Sequence, residues 1–251
     1  MSTQQATSSM RIAKAIAHAG LCSRREAEAW ILQGRIAVNG KVLESPAFCV
    51  TESDTVTVDG EPLPKKEPIR LWKFHKPTDL VTTHKDPQGR STVFEYIQSH
   101  HPNLPRVISV GRLDLATEGL LLLTNDGSLA RHLELPTTGW RRQYRVRVYG
   151  HINEKALKDL QKGITVDGIR YAPIQAAIDR KTGKNSWIML TLTEGKNREI
   201  RKILAHLDLM VSRLIRLSYG PFHLGNLDKG KLQEIPQRIL KEQLGSKFPI
   251  G

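Results

Sequence analysis

The stretch VGRLDLATEGLLLLTNDG, residues 110–127, sets one carboxylate, Asp114, two residues after Arg112 and between two apolar runs. Before it, Val107, Ile108 and Val110 read as a short apolar strand, and Gly111 permits a tight or positive-φ turn. After it, Leu120–Leu123 read as a buried strand, and Asn125-Asp126-Gly127 carries a turn signal. The local reading is therefore strand, loop, strand, with Asp114 on the loop. An isolated aspartate in such a place is ordinarily just solvated, so its meaning rests on the rest of the chain.

Composition narrows the choice. A chain of 251 residues, 39% hydrophobic, suits one or two domains with a real core. Lys and Arg number 38 against 25 Asp and Glu, a net charge of +13 that favours a polyanionic partner, nucleic acid being the commonest. There is no long apolar stretch or basic amphipathic helix, so no membrane partner is expected. The opening MSTQQATSSM lacks the charged and apolar regions of a signal peptide, and residues 1–9 read as a flexible tail. Cys22 and Cys49 are too few for a disulfide framework or a cysteine zinc site, and a cytoplasmic location is expected. The nine histidines show no HExxH pair, and no phosphate loop or GxGxxG appears. No metal and no cofactor are expected. If the chain is an enzyme, side chains alone must do the work.

Residues 10–69 read as a compact module. RIAKAIAHAG carries Ile12, Ala13, Ile16, Ala17 and Ala19 at helical spacing and stops at Gly20. SRREAEAWILQG opens with a capping box, Ser23 and Glu26, and its stripe is Ala27, Trp30 and Ile31. RIAVNGKVLE is a hairpin signal around Asn39-Gly40, and TVTVDG repeats the alternation before Asp59-Gly60. The module carries Arg11, Lys14, His18, Arg24, Arg25, Arg35 and Lys41, a basic surface suited to phosphate contacts. This pattern resembles the ribosomal S-four-type RNA-binding domain, a small α/β module, which implies that these side chains hold structured RNA. GEPLPKKEPIR, residues 60–70, reads as the linker.

From residue 70 strand-like and helix-like pieces alternate, so the second domain reads as α+β. In WRRQYRVRVYG, Tyr144, Val146 and Val148 share one strand face and Arg145, Arg147 and Tyr149 the other; the tyrosine is expected inward with the valines. SWIMLTLTEG is a second strand, with Ile188, Leu190 and Leu192 on one face. It runs into GKNREIRKILAHLDL, where Ile200, Ile203, Leu204 and Leu207 form an amphipathic stripe. Asn197 is the expected N-cap, and Arg201 lies on the stripe's margin, where a guanidinium can reach a cleft.

GRLD after a strand, a strand tyrosine about thirty residues on, and GKNREIR opening a helix together resemble the pseudouridine synthases. The likeness is to the branch of ribosomal small-subunit synthase A and large-subunit synthases B, E and F, most closely the B type, and covers about residues 10–236. It implies a catalytic domain over 70–236, built on a mainly antiparallel sheet with flanking helices, and a C-terminal tail at 237–251. It also implies isomerisation of a uridine to pseudouridine in ribosomal RNA, most closely that of the large subunit (23S), without a cofactor. Asp114 would be the catalytic carboxylate, acting as nucleophile or as base on the sugar; the residues do not choose between these routes. Arg201 would stand against it as the compensating charge, and Tyr144 would pack on the uracil and help move a proton. Arg112 would fill the space left by an extruded nucleotide, with Lys196, Asn197 and Arg198 contacting substrate. One departure is Asp79, where the family keeps a glycine after the Lys76-Pro77 pair, which puts the local turn in question. Expected partners are ribosomal RNA or a pre-ribosomal particle, bound by a monomer. Two other readings suit the charge: a non-catalytic RNA-binding or ribosome-assembly protein, and a DNA-binding factor. Neither gives the carboxylate a task.

Overall fold

The computed structural model describes residues 9–245 and Phe248, so the tail expected at 1–9 lies, apart from Ser9, outside the described residues. Two compact units divide between Ile69 and Arg70.

In the first unit, β1 (Met10–Arg11) leads into α1 (Ile12–His18), and α2 (Arg24–Leu32) follows. The capping box forms as expected: Ser23 Oγ accepts from the Glu26 N–H at 3.2 Å, and Glu26 Oε2 accepts from the Ser23 N–H at 2.7 Å. Strands β2 (Ile36–Val38), β3 (Lys41–Val42), β5 (Val56–Val58) and β6 (Glu61–Pro62) pair antiparallel in the order β3-β2-β5-β6, while β4 (Cys49–Val50) pairs with β1. Asn39 and Gly40 turn the β2–β3 hairpin with φ of +51° and +80°, the double positive φ that this dipeptide tolerates. Ile12, Ile16, Ala27, Ile31 and Ile36 meet in one core. The linker is shorter than expected, because Glu61-Pro62 already pairs with Thr57-Val58.

The second unit contains β7 (Leu71–Lys76), α3 (Val93–His100), β8 (Ile108–Val110), β9 (Glu118–Thr124), α4 (Gly127–Glu134), β10 (Arg142–Tyr149) and α5 (Glu154–Asp159). The chain continues through β11 (Ile164–Val166), β12 (Ile169–Tyr171), β13 (Gln175–Thr182), β14 (Asn185–Leu192), α6 (Glu199–His206) and β15 (Met210–Tyr219). It ends with β16 (Phe222–His223), β17 (Leu232–Glu234) and α7 (Gln237–Leu244). Among the described residues nine strands make one sheet, ordered β13-β14-β10-β15-β9-β7-β17, with β16 on β15 and β8 on β9. The fold is α+β with an antiparallel-dominated sheet; only the β15–β9 pair is parallel.

The leucine run explains why β9 sits in the middle. Leu121 and Leu123 pack with Trp72, Phe74, Val93 and Ile97. Leu120 and Leu122 are equally buried on the opposite face. A strand buried on both faces needs an unbroken apolar run rather than alternation. On the other half of the sheet Val146, Val148, Ile188 and Leu190 pack against Leu157 of α5 and Ile200, Ile203 and Leu204 of α6.

Two local expectations change. Asn125-Asp126-Gly127 starts a helix rather than a simple turn: Asp126 Oδ1 accepts from the N–H groups of Ser128 and Leu129 at 2.8 Å and caps α4. Residues 237–244 are not tail but α7, whose apolar spacing buries Leu240 and Leu244.

The two halves of the sheet join where Gly119 lies beside Arg216. Gly119 has φ +105°, and a Cβ there would stand 2.7 Å from the Arg216 nitrogen and closer still to its carbonyl oxygen. Gly119→Ala is therefore expected to cost about 3 kcal/mol or more through backbone strain and overpacking. A urea midpoint within error of the parent would show that the joint tolerates a side chain.

Candidate active site

The loop between β8 and β9 carries Asp114, and most of its carbonyl groups are held. Lys76, at the end of β7, has no solvent exposure. Its ammonium donates to the carbonyl oxygens of Pro77 and Thr117 at 2.9 Å, Asp114 at 3.2 Å and Leu115 at 3.4 Å. Thr82 Oγ1 donates to Leu113 O at 2.8 Å and accepts from the Leu113 N–H at 3.3 Å. The Asp79 N–H donates to Leu115 O at 2.9 Å from a left-handed backbone, φ +68°. The turn is thus made without glycine, since Asp is among the few side chains that enter this region at low cost. Arg201 Nη2 closes the set by donating to Ala116 O at 2.9 Å.

Asp114 lines a cleft of about 640 Å³ with Arg112, Tyr144, Leu192, Arg198, Arg201 and Leu214 among its neighbours. Tyr144 comes from β10 on the face of Val146 and Val148, as the alternation predicts, and is half-buried. Arg112 is exposed at the cleft.

The expected ion pair is redistributed. Arg198, not Arg201, pairs with Asp114, Nη1 to Oδ2 at 3.8 Å. Arg201 Nη1 and Nη2 donate instead to Val211 O at 3.2 Å and Ala116 O at 2.9 Å, so it braces the aspartate's loop from α6. Burial and the nearby Arg198 push the Arg201 guanidinium downward, while Asp114 acts the other way. Nor is Asn197 the N-cap. Arg198 takes that position in a left-handed conformation, φ +50° and ψ +30°, without a side-chain cap. A left-handed arginine is uncommon, and strain of this kind gathers at functional sites. Asn197 is exposed on the cleft wall. Lys196 is tied down, donating to Arg170 O at 2.6 Å and pairing with Glu194 at 2.9 Å.

Sequence reasoning missed Lys76, although it shares a strand face with Trp72 and Phe74, a position where a charge needs partners. It also missed the Glu194–Glu199 pair on the cleft wall. Glu194 accepts from the Ala172 N–H at 2.7 Å, and Glu199 Oε2 accepts from the Lys196 N–H at 2.9 Å. Burial, aided by the charge of Glu194, lifts the Glu199 carboxyl to about 7. Burial also opposes the charge on Glu194, but the Ala172 N–H and Lys196 outweigh it and keep that carboxyl low.

In the N-terminal unit, Arg11, Arg24, Arg25 and Lys41 are exposed and Lys14 is half-buried. Arg35 differs: it makes a two-pronged contact with Asp59, Nε to Oδ1 at 2.9 Å and Nη2 to Oδ2 at 2.5 Å, and lies over the Trp30 ring. Its charge has an internal task, unlike the others.

The sequence of residues 70–206 matches the family model for RNA pseudouridylate synthase, and residues 10–62 match the S4 domain. The chain is 47% identical over 234 residues to an uncharacterized RNA pseudouridine synthase of Rickettsia prowazekii, covering 93% of this chain and 97% of that one. It is 40% identical over 225 residues to ribosomal large subunit pseudouridine synthase B of Yersinia pestis, covering 88% and 69%. A crystal structure of a pseudouridylate synthase superposes with TM-score 0.64 at 25% identity, covering 94% of this chain and 99% of that one. The chain belongs to the RNA pseudouridylate synthase family, an enzyme family, and carries an N-terminal S4 domain. No helix among the described residues is long and apolar enough to cross a membrane.

Two expectations follow from the clamp and the carboxyl pair. Lys76→Met takes their donor from the carbonyls of Pro77 and Thr117 and should destabilise the chain by about 2 kcal/mol or more; an unchanged denaturation midpoint would contradict the clamp. Glu199 holds its proton more tightly folded than unfolded. The stability this gives is complete below its ordinary value of 4.5 and lost as pH rises through about 7. Glu199→Gln, which keeps the acceptor and has no proton to lose, should therefore gain in melting temperature relative to the parent between pH 5 and 8. Parallel melting curves across that range would rule this out.

Proposed function

We propose that this enzyme isomerises a uridine of large-subunit ribosomal RNA to pseudouridine, with Asp114 acting at the sugar. The observation that carries the assignment of Asp114 is its setting, one carboxylate on a loop clamped through its backbone. It faces Tyr144 and Arg198 in a cleft of about 640 Å³. That volume lies within the roughly 300–1,000 Å³ of small-molecule sites and suits one nucleotide swung out of its stack. The relative named for large-subunit RNA supports the choice of substrate.

The reaction breaks the N1–C1′ bond and joins C5 to C1′; C5 loses a proton and N1 gains one, so nothing is oxidised and no co-substrate is consumed. Asp114 attacks C1′ or takes a sugar proton. In either route a carboxylate fixed in advance avoids the reorganisation that a mobile one would undergo. Tyr144, held by β10 against the apolar floor, packs on the uracil. Arg198 compensates Asp114, and Arg201 holds its loop in place. Arg112, free at the cleft, occupies the gap left by the extruded nucleotide. Arg11, Lys14, Arg24, Arg25 and Lys41 of the S4 domain hold RNA phosphates. The chain acts as a monomer, in the cytoplasm with its substrate.

Asp114→Ala should fold and bind RNA yet lose pseudouridine formation by on the order of 10⁴ or more. Tritium release from uridine-labelled large-subunit RNA reads this directly, and near-parental turnover would overturn the assignment. Arg201→Met should lower the single-turnover rate at saturating enzyme as well as loosening the loop. A rate within about twofold of the parent, roughly 0.4 kcal/mol, would remove Arg201 from the machinery.

A further inference from the structure

The sheet face opposite Tyr144 has an organisation that the cleft does not use. Strand register aligns Arg180 of β13 with Trp187 of β14, Trp187 with Arg147 of β10, and Arg147 with Arg213 of β15. Partners directly across a ladder share a face. Three arginines and a tryptophan therefore form one row across four neighbouring strands, about 14 Å wide at ordinary strand spacing. The adjoining row pairs Tyr149 with Met210, two of the exposed large apolar side chains. The helices α5 and α6 pack on the other face, against Val146, Val148 and Ile188.

Charge on this face is unevenly neutralised. Arg145 pairs with Asp179 at 2.8 Å, and Arg213 pairs with the buried Glu118, which Lys229 also meets. Arg147 and Arg180 are exposed and form no ion pair among the described residues. Arg145 and Arg213 lie over the Trp187 ring, 4.5 and 5.9 Å from its centroid, which orients their guanidinium planes. Exposed arginines near the exposed ring of Tyr149 are the combination that holds a polyanion with accessible base faces: cations for phosphates, a ring for stacking. A duplex hides its base faces.

We propose that this face binds a single-stranded stretch of RNA, with phosphates on Arg147 and Arg180 and a base stacked on Tyr149. The proposal rests on the RNA-substrate reading above and adds a second contact surface, on the far side of the sheet from the cleft.

The test uses the full chain and a fluorescein-labelled oligouridine of twelve nucleotides, followed by anisotropy over a range of salt concentrations. Arg147→Ala/Arg180→Ala should weaken binding by about tenfold or more and flatten the log–log salt dependence by about 1.4, two phosphates at roughly 0.7 each. Tyr149→Ala should weaken it about fivefold or more with the slope unchanged. Unchanged affinity and slope in the double variant overturn the proposal. Equal losses on an RNA duplex of the same length overturn the single-stranded occupant. Pseudouridine formation by the same preparations keeps the two readings apart. Turnover at saturating enzyme should stay within about twofold of the parent, since none of these side chains lines the cleft. A parent that modifies ribosomal RNA, with a double variant that binds oligouridine normally, would lose the surface and keep the function.

Discussion

A single ammonium, that of Lys76, ties the end of β7 to the loop that carries Asp114. It has no solvent exposure and reaches carbonyl oxygens of Pro77, Asp114, Leu115 and Thr117. Burial lowers Lys76 to about 8, with Asp79, Asp114 and Glu118 acting the other way, so near neutrality the group remains largely an ammonium. Three N–H donors then serve four acceptors, of which Asp114 O and Leu115 O also accept from the N–H groups of Thr117 and Asp79, and a loop of seven residues gains the rigidity of the strands on either side. An aspartate on a free loop would sample many directions. Here its backbone direction is settled by the fold before any RNA arrives.

That arrangement depends in turn on the Gly119 joint. Because no side chain separates the backbones of Gly119 and Arg216, the β7–β9 half of the sheet comes within pairing distance of the β10–β15 half. Arg216 reinforces the seam, its buried Nε donating to Leu120 O at 2.7 Å. The clamped loop belongs to one half and Tyr144 to the other, while α6 follows β14. The cleft therefore exists only where the halves join. The two arginines of α6 and its entry divide the work: Arg198 brings charge to Asp114, and Arg201 brings hydrogen bonds to the loop backbone.

Much of this was legible because it is local. The capping box at Ser23 and the Asn39-Gly40 hairpin depend on residues a few positions apart. So do the alternation that turns Tyr144 inward and the stripe of α6, and the structure has each of them. Asp114, Tyr144, Arg198 and Arg201 were legible through a resemblance of motifs, and they do line one cleft. What failed was pairing over distance. Nothing near Arg201 in sequence indicates that its guanidinium ends on the carbonyls of Ala116 and Val211, or that a left-handed backbone at Arg198 turns that side chain toward the aspartate. The Glu199 carboxyl is likewise ordinary in sequence and becomes unusual only when α6 buries it near Glu194. Residues 237–244 read as tail in the sequence because two helical turns show little pattern until Leu240 and Leu244 have a surface to bury against.

Electrostatics gives the clamp its final consequence. A cleft meant for a polyanion gains from positive charge, and Arg112, Arg142, Lys196, Arg198, Arg201 and Arg216 all line this one. Carboxylates work against that attraction, and the cleft treats its own differently. Glu194 is occupied by Lys196 and a backbone N–H, and Glu199 takes up a proton near neutrality instead of adding a second buried negative charge. Glu134, at the rim, accepts from the Gly111 N–H at 2.6 Å. Asp114 is presented to the cleft with its backbone fixed and its pairing arginine at 3.8 Å. A surface that only held RNA would be stronger with a neutral side chain at that position and would need no clamp behind it. Holding one carboxylate in a fixed direction within a ring of cations makes physical sense where that carboxylate has chemistry to perform.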